Sequence, residues 1–518
     1  MREKIFIIFC SLSILLKIET FATGTDTETG NKSLNHFPDD FLFAASTSAY
    51  QVEGAWNVDG KGVNIWDRYT HKDPDVIKDG QNADDAAKSY YWYKNDSALL
   101  KEFNFQIHRM SISWTRILPN GDMSFINQKG IDHYNHVIDD LLWKGIQPMV
   151  IMYHWDLPQK LQDTGGWLNP SIVKYMGDYA DLLFKHFGDR VKWWNTLNEP
   201  INIVKGYASN NTVAPSLGLG TPADYQVVHN ILLAHGRIYN IYKKKYKKWQ
   251  KGKISMTIDY ETCYPKPNSL GSDFAVEKYF QFMVGLFAHP IYSKEGDYPP
   301  LVRYIVNENS KKYGLKKSRL PEFTKQEKLN LIGAFDYFSF NHYTSFLCST
   351  PPNNETVDND SWYSIFSEDL NVKVEPIPYK PKTGENDMYV TPVGFRDGLK
   401  KISQEYYFPN IFVTENGYSD PSPLQDYKRI IFHQLYLEQL LKALYLDGCK
   451  IIGYTVWSLL DNFQWLAGYT SKFGLIRVDF NSTEKTRTPK LSASWFKTLI
   501  DDRKIPDLDD WLLRSNES

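Results

Sequence analysis

The chain has 518 residues, 42% of them hydrophobic and 15% aromatic, with 15 Trp and 34 Tyr, which supplies a large apolar core and excludes a disordered composition. Lysine plus arginine (59) nearly cancels aspartate plus glutamate (61), and a net charge of −2 provides no basic field for a nucleic-acid partner. Trp and Tyr suit packing against sugar rings, but they fill large cores equally well.

In chain order, Arg2 and Lys4, an apolar run from Ile5 to Leu16 and small residues near Ala22 have the layout of a secretory signal at 1–22. No stretch of about 20 apolar residues is found elsewhere, so the chain is expected to be secreted and extracellular, with no membrane anchor. A polar segment occupies 23–36. From residue 37 to 504, runs rich in β-branched and aromatic residues alternate with amphipathic helical segments, the pattern of repeated βα units. Strands are expected near Phe43, Ile107, Val150, Trp193, Met256, Phe338, Phe412 and Ile452. Helices are expected over Asp85 to Phe103, Ser171 to Phe187, Tyr225 to Tyr246 and Gln425 to Leu446, where apolar residues recur at three- and four-residue spacing. No linker divides the chain. The expected fold is therefore α/β, a single closed (β/α)8 TIM barrel with extended βα loops around Glu261 to Ala334 and Cys348 to Thr391. The second of these, with Pro351, Pro352, Asn353 and Asn354, reads as a surface loop. The C-terminal tail, 505–518, carries no usable pattern.

Cys10 would leave with the signal, so Cys263, Cys348 and Cys449 permit at most one internal disulfide and lack zinc-like spacing. Sequons at Asn31, Asn95, Asn210, Asn354, Asn359, Asn481 and Asn516 are compatible with a glycoprotein.

A packed barrel leaves room for chemistry only beyond the C-terminal ends of its strands. Polar residues gather there: Gln51 and Glu53 after the first expected strand, Arg109 at the second, His154 and Asp156 after the third, Asn198 and Glu199 at the fourth. Asn341 and Tyr343 follow the sixth, Glu415 and Asn416 the seventh, Trp457 and Gln464 the eighth; only the fifth lacks a clear cluster. Thr196 to Pro200 and Thr414 to Gly417 each put a glutamate at a strand mouth. Either motif alone is equally well explained as a helix cap or a loop ion pair. Together they form the carboxyl pair that glycosidic cleavage needs, one acid for the leaving oxygen and one carboxylate for the anomeric carbon.

Phe43 to Gly54 (FAASTSAYQVEG), Arg109 to Trp114 (RMSISW), Tyr153 to Gln159 (YHWDLPQ), Thr196 to Pro200 (TLNEP), Thr414 to Gly417 (TENG) and Trp457 to Phe463 (WSLLDNF) resemble glycoside hydrolase family 1. The likeness runs from Phe37 to about Lys504, in order, and is closest to secreted insect β-glucosidases and myrosinases. It implies that Glu199 is the acid/base and Glu415 the nucleophile of a retaining β-glycosidase working by double displacement through a covalent glycosyl-enzyme. The carboxylates should then stand roughly 5 Å apart, against about 6.5–9.5 Å for an inverting pair. Arg109 and Tyr343 would hold the nucleophile's charge, while Gln51, His154, Asn198, Asn341, Trp457 and Trp465 would meet the sugar. The mechanism needs no cofactor or metal, and its partner is a small β-glycoside, acted on by a monomer or homodimer.

The likeness implies a glutamate after Asp461-Asn462-Phe463, where this chain has Gln464. An amide there exchanges a charge-assisted hydrogen bond for a neutral one, at a cost of about 1–2 kcal/mol. Weakened activity, a sugar altered at carbon 6 and compensation by a neighbour all remain open. The alternatives to a β-glucosidase are a β-thioglucosidase (myrosinase) hydrolysing glucosinolates and a non-catalytic sugar-binding protein. The plant type of myrosinase replaces the acid/base by Gln, which Glu199 argues against, and a binding protein typically lacks one of the two carboxylates.

Overall fold

A computed structural model describes residues 34–351, 365–384 and 388–515. The expected signal at 1–22, the loop residues Pro352, Asn353 and Asn354, and the sequons at Asn31, Asn354, Asn359 and Asn516 lie outside them.

Eight strands close an all-parallel barrel: β1 Leu42–Ser46, β2 Ile107–Ser111, β3 Gln147–Tyr153, β4 Trp193–Asn198, β5 Lys253–Asp259, β6 Phe338–Asn341, β7 Ile411–Asn416 and β8 Ile451–Trp457. Each contains one expected strand centre. Runs such as Ile411–Val413 and Val150–Met152 are buried on both faces because helices cover the outside and side chains fill the inside. Ala44, Ile107, Met149, Tyr337 and Phe412 form a separate apolar plug at the N-terminal end of the barrel interior. Above it the interior turns polar. The covering helices agree with the expected segments to within a few residues: Ser89–Glu102, Ile172–Phe187, Ala223–Lys245 and Tyr427–Tyr445.

Two irregularities in strand register matter for the site. The β4–β5 pairing shifts between Asn195 and Asn198, and β7 slips against both neighbours between Val413 and Asn416. Such bulges re-aim side chains, and these two fall where the glutamates leave their strands.

The long loops are insertions within the barrel's own chain. Strand segments Thr262–Pro265, Ser345–Ser349 and Lys373–Pro376, from the loops after β5 and β6, form a small three-stranded sheet. A Cys263–Cys348 disulfide joins the two loops across it, and Cys449 is a buried free thiol. The tail, patternless in sequence, forms a helix at Leu508–Ser515, and Trp511 is buried with its indole N–H donating to the Thr498 hydroxyl at 3.0 Å. Two turns, with Leu508 and Leu512 packed against the core beside Trp511, are too short to give a sustained periodic signal.

Candidate active site

Arg109 stands at the centre of the mouth, fully buried on β2. One guanidinium nitrogen donates to Glu415 Oε1 at 2.5 Å and to Ser46 Oγ at 3.1 Å, the other to Asn198 Oδ1 at 2.6 Å. The Tyr343 hydroxyl donates to Glu415 Oε2 at 2.7 Å. Glu415 therefore has a cation on one oxygen and a phenol on the other. The same contact pushes the Tyr343 phenol up, with burial the larger cause and the Glu415 charge the next.

Glu199 is surrounded differently. It leaves β4 in the left-handed region, φ +46°, as the residue before helix Pro200–Ala208. Its Oε1 accepts from the Asn341 amide at 2.8 Å and its Oε2 from the Asn202 amide at 3.0 Å. Both partners are neutral. Burial pushes the Glu199 carboxyl well above the usual range, with the negative charges of Asp259 and Glu415 acting in the same direction; the Asn341 hydrogen bond and Arg109 pull it back. A buried carboxyl raised in this way is suited to act as a proton donor, while a carboxylate fixed by Arg and Tyr is suited to meet a developing cation.

The remaining expected residues ring this pair. Because the Asn198 oxygen is committed to Arg109, its amide nitrogen is the group facing His154 Nε2, at 3.3 Å. That leaves the imidazole proton on Nδ1, which has no partner among the described residues and is open to a ligand. Burial holds His154 well below its ordinary value, so it is neutral. Gln51 donates to Asn462 Oδ1 at 3.0 Å, the Phe463 carbonyl at 2.9 Å and Gln464 Oε1 at 3.3 Å. With its oxygen engaged by Gln51, Gln464 offers a ligand its NH2 group. Trp457 lies against His154 with ring centres 6.0 Å apart, and Trp465 is stacked on Tyr50 at 6.0 Å and 7°. Trp155 and Trp465 share the left-handed backbone of Glu199, at φ +73° and +51°. Three such non-glycine residues at one mouth are held by their surroundings: the Trp155 indole donates to the Asn198 carbonyl at 2.9 Å and packs 4.6 Å from Trp465.

Arg109, Glu199, Glu415, Tyr343, Asn198 and Asn341 thus form one connected network, with Gln51, His154, Trp457, Gln464 and Trp465 along the adjoining wall. Asn341 binds Glu199 and accepts from Thr414 at 2.7 Å, so both ends of its amide serve the carboxyl side. Three residues from the polar clusters do not join. Asn416 donates to the His342 carbonyl at 2.7 Å and accepts from the Tyr454 hydroxyl at 2.6 Å. Glu53 points behind the mouth, accepting from Arg116 at 3.0 Å and Tyr134 at 2.6 Å. Asp156 is buried, and that burial pushes its carboxyl up to about 7.

Sequence reasoning missed Asn202, Lys205 and Asp259. Asn202 stands three residues after Glu199, the spacing at which a side chain reaches back to the start of its helix. Asp259 ends β5 and obeys the rule that located the other clusters, although Tyr260 and the second strand segment from Thr262 obscure where β5 stops.

Residues 33–505 match the model of glycosyl hydrolase family 1. Over 466 residues the chain is 45% identical to Myrosinase 1 of Brevicoryne brassicae, covering 90% of this chain and 98% of the relative. The solved aphid myrosinase superposes with a TM-score of 0.85 at 44% identity, over 90% of this chain and 99% of that one. A rice β-glucosidase variant in a covalent complex with glucose superposes with a TM-score of 0.82 at 36% identity, over 89% of this chain and 98% of that one. The chain belongs to glycosyl hydrolase family 1 and is a β-glycosidase on a (β/α)8 barrel.

Proposed function

We propose that the protein is a β-glucosidase acting on O-linked glucosides, with Glu415 as nucleophile and Glu199 as acid/base. In the first step Glu415 attacks the anomeric carbon from the face opposite the aglycone while Glu199 protonates the departing oxygen. In the second, Glu199 takes a proton from water, which releases the sugar with its original anomeric configuration. The covalent glucose complex of the similar rice enzyme supports this path. Arg109 and Tyr343 position the nucleophile, Asn198 and Asn341 tie the two carboxyl groups together, and Gln51, His154, Trp457, Gln464 and Trp465 bind the sugar.

The observation that carries the O-glucoside reading is the environment of Glu199. An alkoxide is a poor leaving group and needs a proton, and burial together with the neighbouring negative charges raises Glu199 against the pull of the Asn341 donor, which favours an acid that keeps one. A second reading, a β-thioglucosidase that retains its acid/base glutamate, is favoured by the 45% identity to an aphid myrosinase. Initial rates on matched O- and S-linked β-glucosides, glucosinolates included, decide between them. Turnover of O-glucosides alone upholds the first reading; preferential turnover of S-glucosides overturns it in favour of the second. Loss of both, with activity on sugars altered at carbon 6, would trace the preference to Gln464.

Secretion belongs to the same proposal. The Cys263–Cys348 disulfide suits an oxidising compartment, and Asn95, Asn210 and Asn481 are all exposed, as glycan acceptors must be.

A further inference from the structure

Asp259 ends β5 beside the acid/base residue but makes no bond to it, and the double-displacement path gives it no task. Its place is fixed by backbone register. The Glu199 N–H donates to the Thr257 carbonyl at 3.0 Å, and Asp259 pairs in register with Asn341, whose side chain holds Glu199 Oε1 at 2.8 Å. Thr257 points into the barrel, its hydroxyl 3.1 Å from Ser339 Oγ. Asp259, two residues further along the same strand, shares that face and emerges one layer higher, in the mouth.

We propose that Asp259 is a third carboxyl group of the active site, a positioning residue whose negative charge keeps the acid/base proton on Glu199 at neutral and mildly alkaline pH, with Lys205 limiting the effect. This rests on Glu199 being the acid/base.

The charges facing Glu199 come from every neighbouring element. Arg109 on β2 and Lys205 on the helix after β4 favour ionisation. Glu415 on β7 and Asp259 on β5 oppose it, and Asp259 is the stronger of the two. His154 beyond β3 is neutral, and Tyr343 beyond β6 is held in its protonated form. Glu261, two residues past Asp259, belongs to the same cluster and raises Asp259 further. Asp259 is itself pushed up to about 7, by burial first, with Lys205 pulling it down. It therefore ionises near neutrality, and each further increment of charge on it makes the Glu199 proton harder to remove. Above that point the charge on Asp259 adds to that of Glu415 in holding the Glu199 proton. Lys205 is buried on Pro200–Ala208 and interacts with Asp259, Glu261 and Glu199 together, so it partly cancels the carboxyl charge.

The test is kcat/KM against pH on an alkyl β-glucoside, whose leaving group needs the acid, for the full chain and for Asp259→Asn and Lys205→Met. Asp259→Asn should bring the alkaline limb down by about one pH unit, the lower end of what a neighbouring charge produces. Its acid limb should stay in place. Lys205→Met should move the alkaline limb the opposite way. A folded Asp259→Asn enzyme whose alkaline limb does not move, or moves up, overturns the proposal. If Asp259→Asn fails to fold, Asp259→Ser takes its place, and an unmoved limb overturns the proposal. A lower rate at every pH with unchanged limbs would make Asp259 merely structural, which also overturns it. Glu199→Gln separates this from the underlying reading. It should lose activity on the alkyl glucoside but keep the glycosylation step on a dinitrophenyl glucoside, with azide restoring turnover. If Glu199→Gln instead retains alkyl-glucoside activity, the acid/base assignment fails first.

Discussion

The two glutamates at the mouth occupy the same kind of position and live in opposite surroundings. Glu415 is gripped by a buried guanidinium at 2.5 Å and a phenol at 2.7 Å. Glu199 is held by two side-chain amides at 2.8 and 3.0 Å and has two other carboxyl groups for neighbours. Both leave strands at register slips, both are almost wholly buried, and both follow an apolar run. What separates them is the charge of the atoms around them: a cation on β2 selects one side, and burial with nearby negative charge selects the other. In the proposed roles, one barrel thus offers an acid and a nucleophile of identical chemistry.

The contrast can be broken most severely at Glu415. Glu415→Gln should lower kcat on the order of 10⁴-fold or more, because the residue that would form the bond is gone while the rest of the pocket remains. Replacing Arg109 with Met should come next. It strands a buried carboxylate, so a loss of about 3–5 kcal/mol in stability is expected in thermal or denaturant unfolding, together with a large fall in kcat/KM. Tyr343→Phe removes one charge-assisted hydrogen bond and leaves the ion pair. About 1.5–3 kcal/mol of transition-state stabilisation should be lost, read as roughly a 10- to 150-fold decrease in kcat/KM with little change in melting temperature. On the acid side, Asn341→Ala removes a donor that favours the ionised form of Glu199. The alkaline limb of kcat/KM should therefore move to higher pH, while rates below it fall modestly.

The smallest effect sharpens the comparison from outside the network. Asp156 is raised by burial from 3.8 to about 7 with no catalytic partner. Between those values the folded chain keeps a proton that the unfolded chain has released, so this group makes the protein less stable as pH rises through that window. Asp156→Asn should flatten the decline in melting temperature from pH 4 to 7 and leave the pH limbs of activity where they are.

Much of this was legible in the sequence. Runs such as Ile411–Val413 and Val150–Met152, each ending in polar residues, locate both the strand and the end at which chemistry occurs, because a parallel barrel buries its strands on both faces. The spacing of Glu199 and Glu415, 216 residues apart, carries no information until closure brings β4 and β7 to a common mouth. Side-chain direction was less accessible. Glu53 follows β1 as closely as Gln51 does, yet it sits two residues further around a helical turn and meets Arg116 behind the site. Asp259 was hidden because β5 runs almost directly into a second strand segment, so no turn marks the end of the barrel strand. The helix at Leu508–Ser515 depends on Trp511 finding a groove that only the folded chain provides.

The most direct test of the account is to react the enzyme with a 2-deoxy-2-fluoro-β-glucosyl fluoride, which slows both steps but leaves the first one faster, and to map the adduct by mass spectrometry. One fluoroglucosyl group per active site is expected, carried by the peptide containing Glu415, together with release of the β-anomer as the first product seen by NMR during turnover of a normal substrate. A label on any other residue, or release of the α-anomer first, would contradict it.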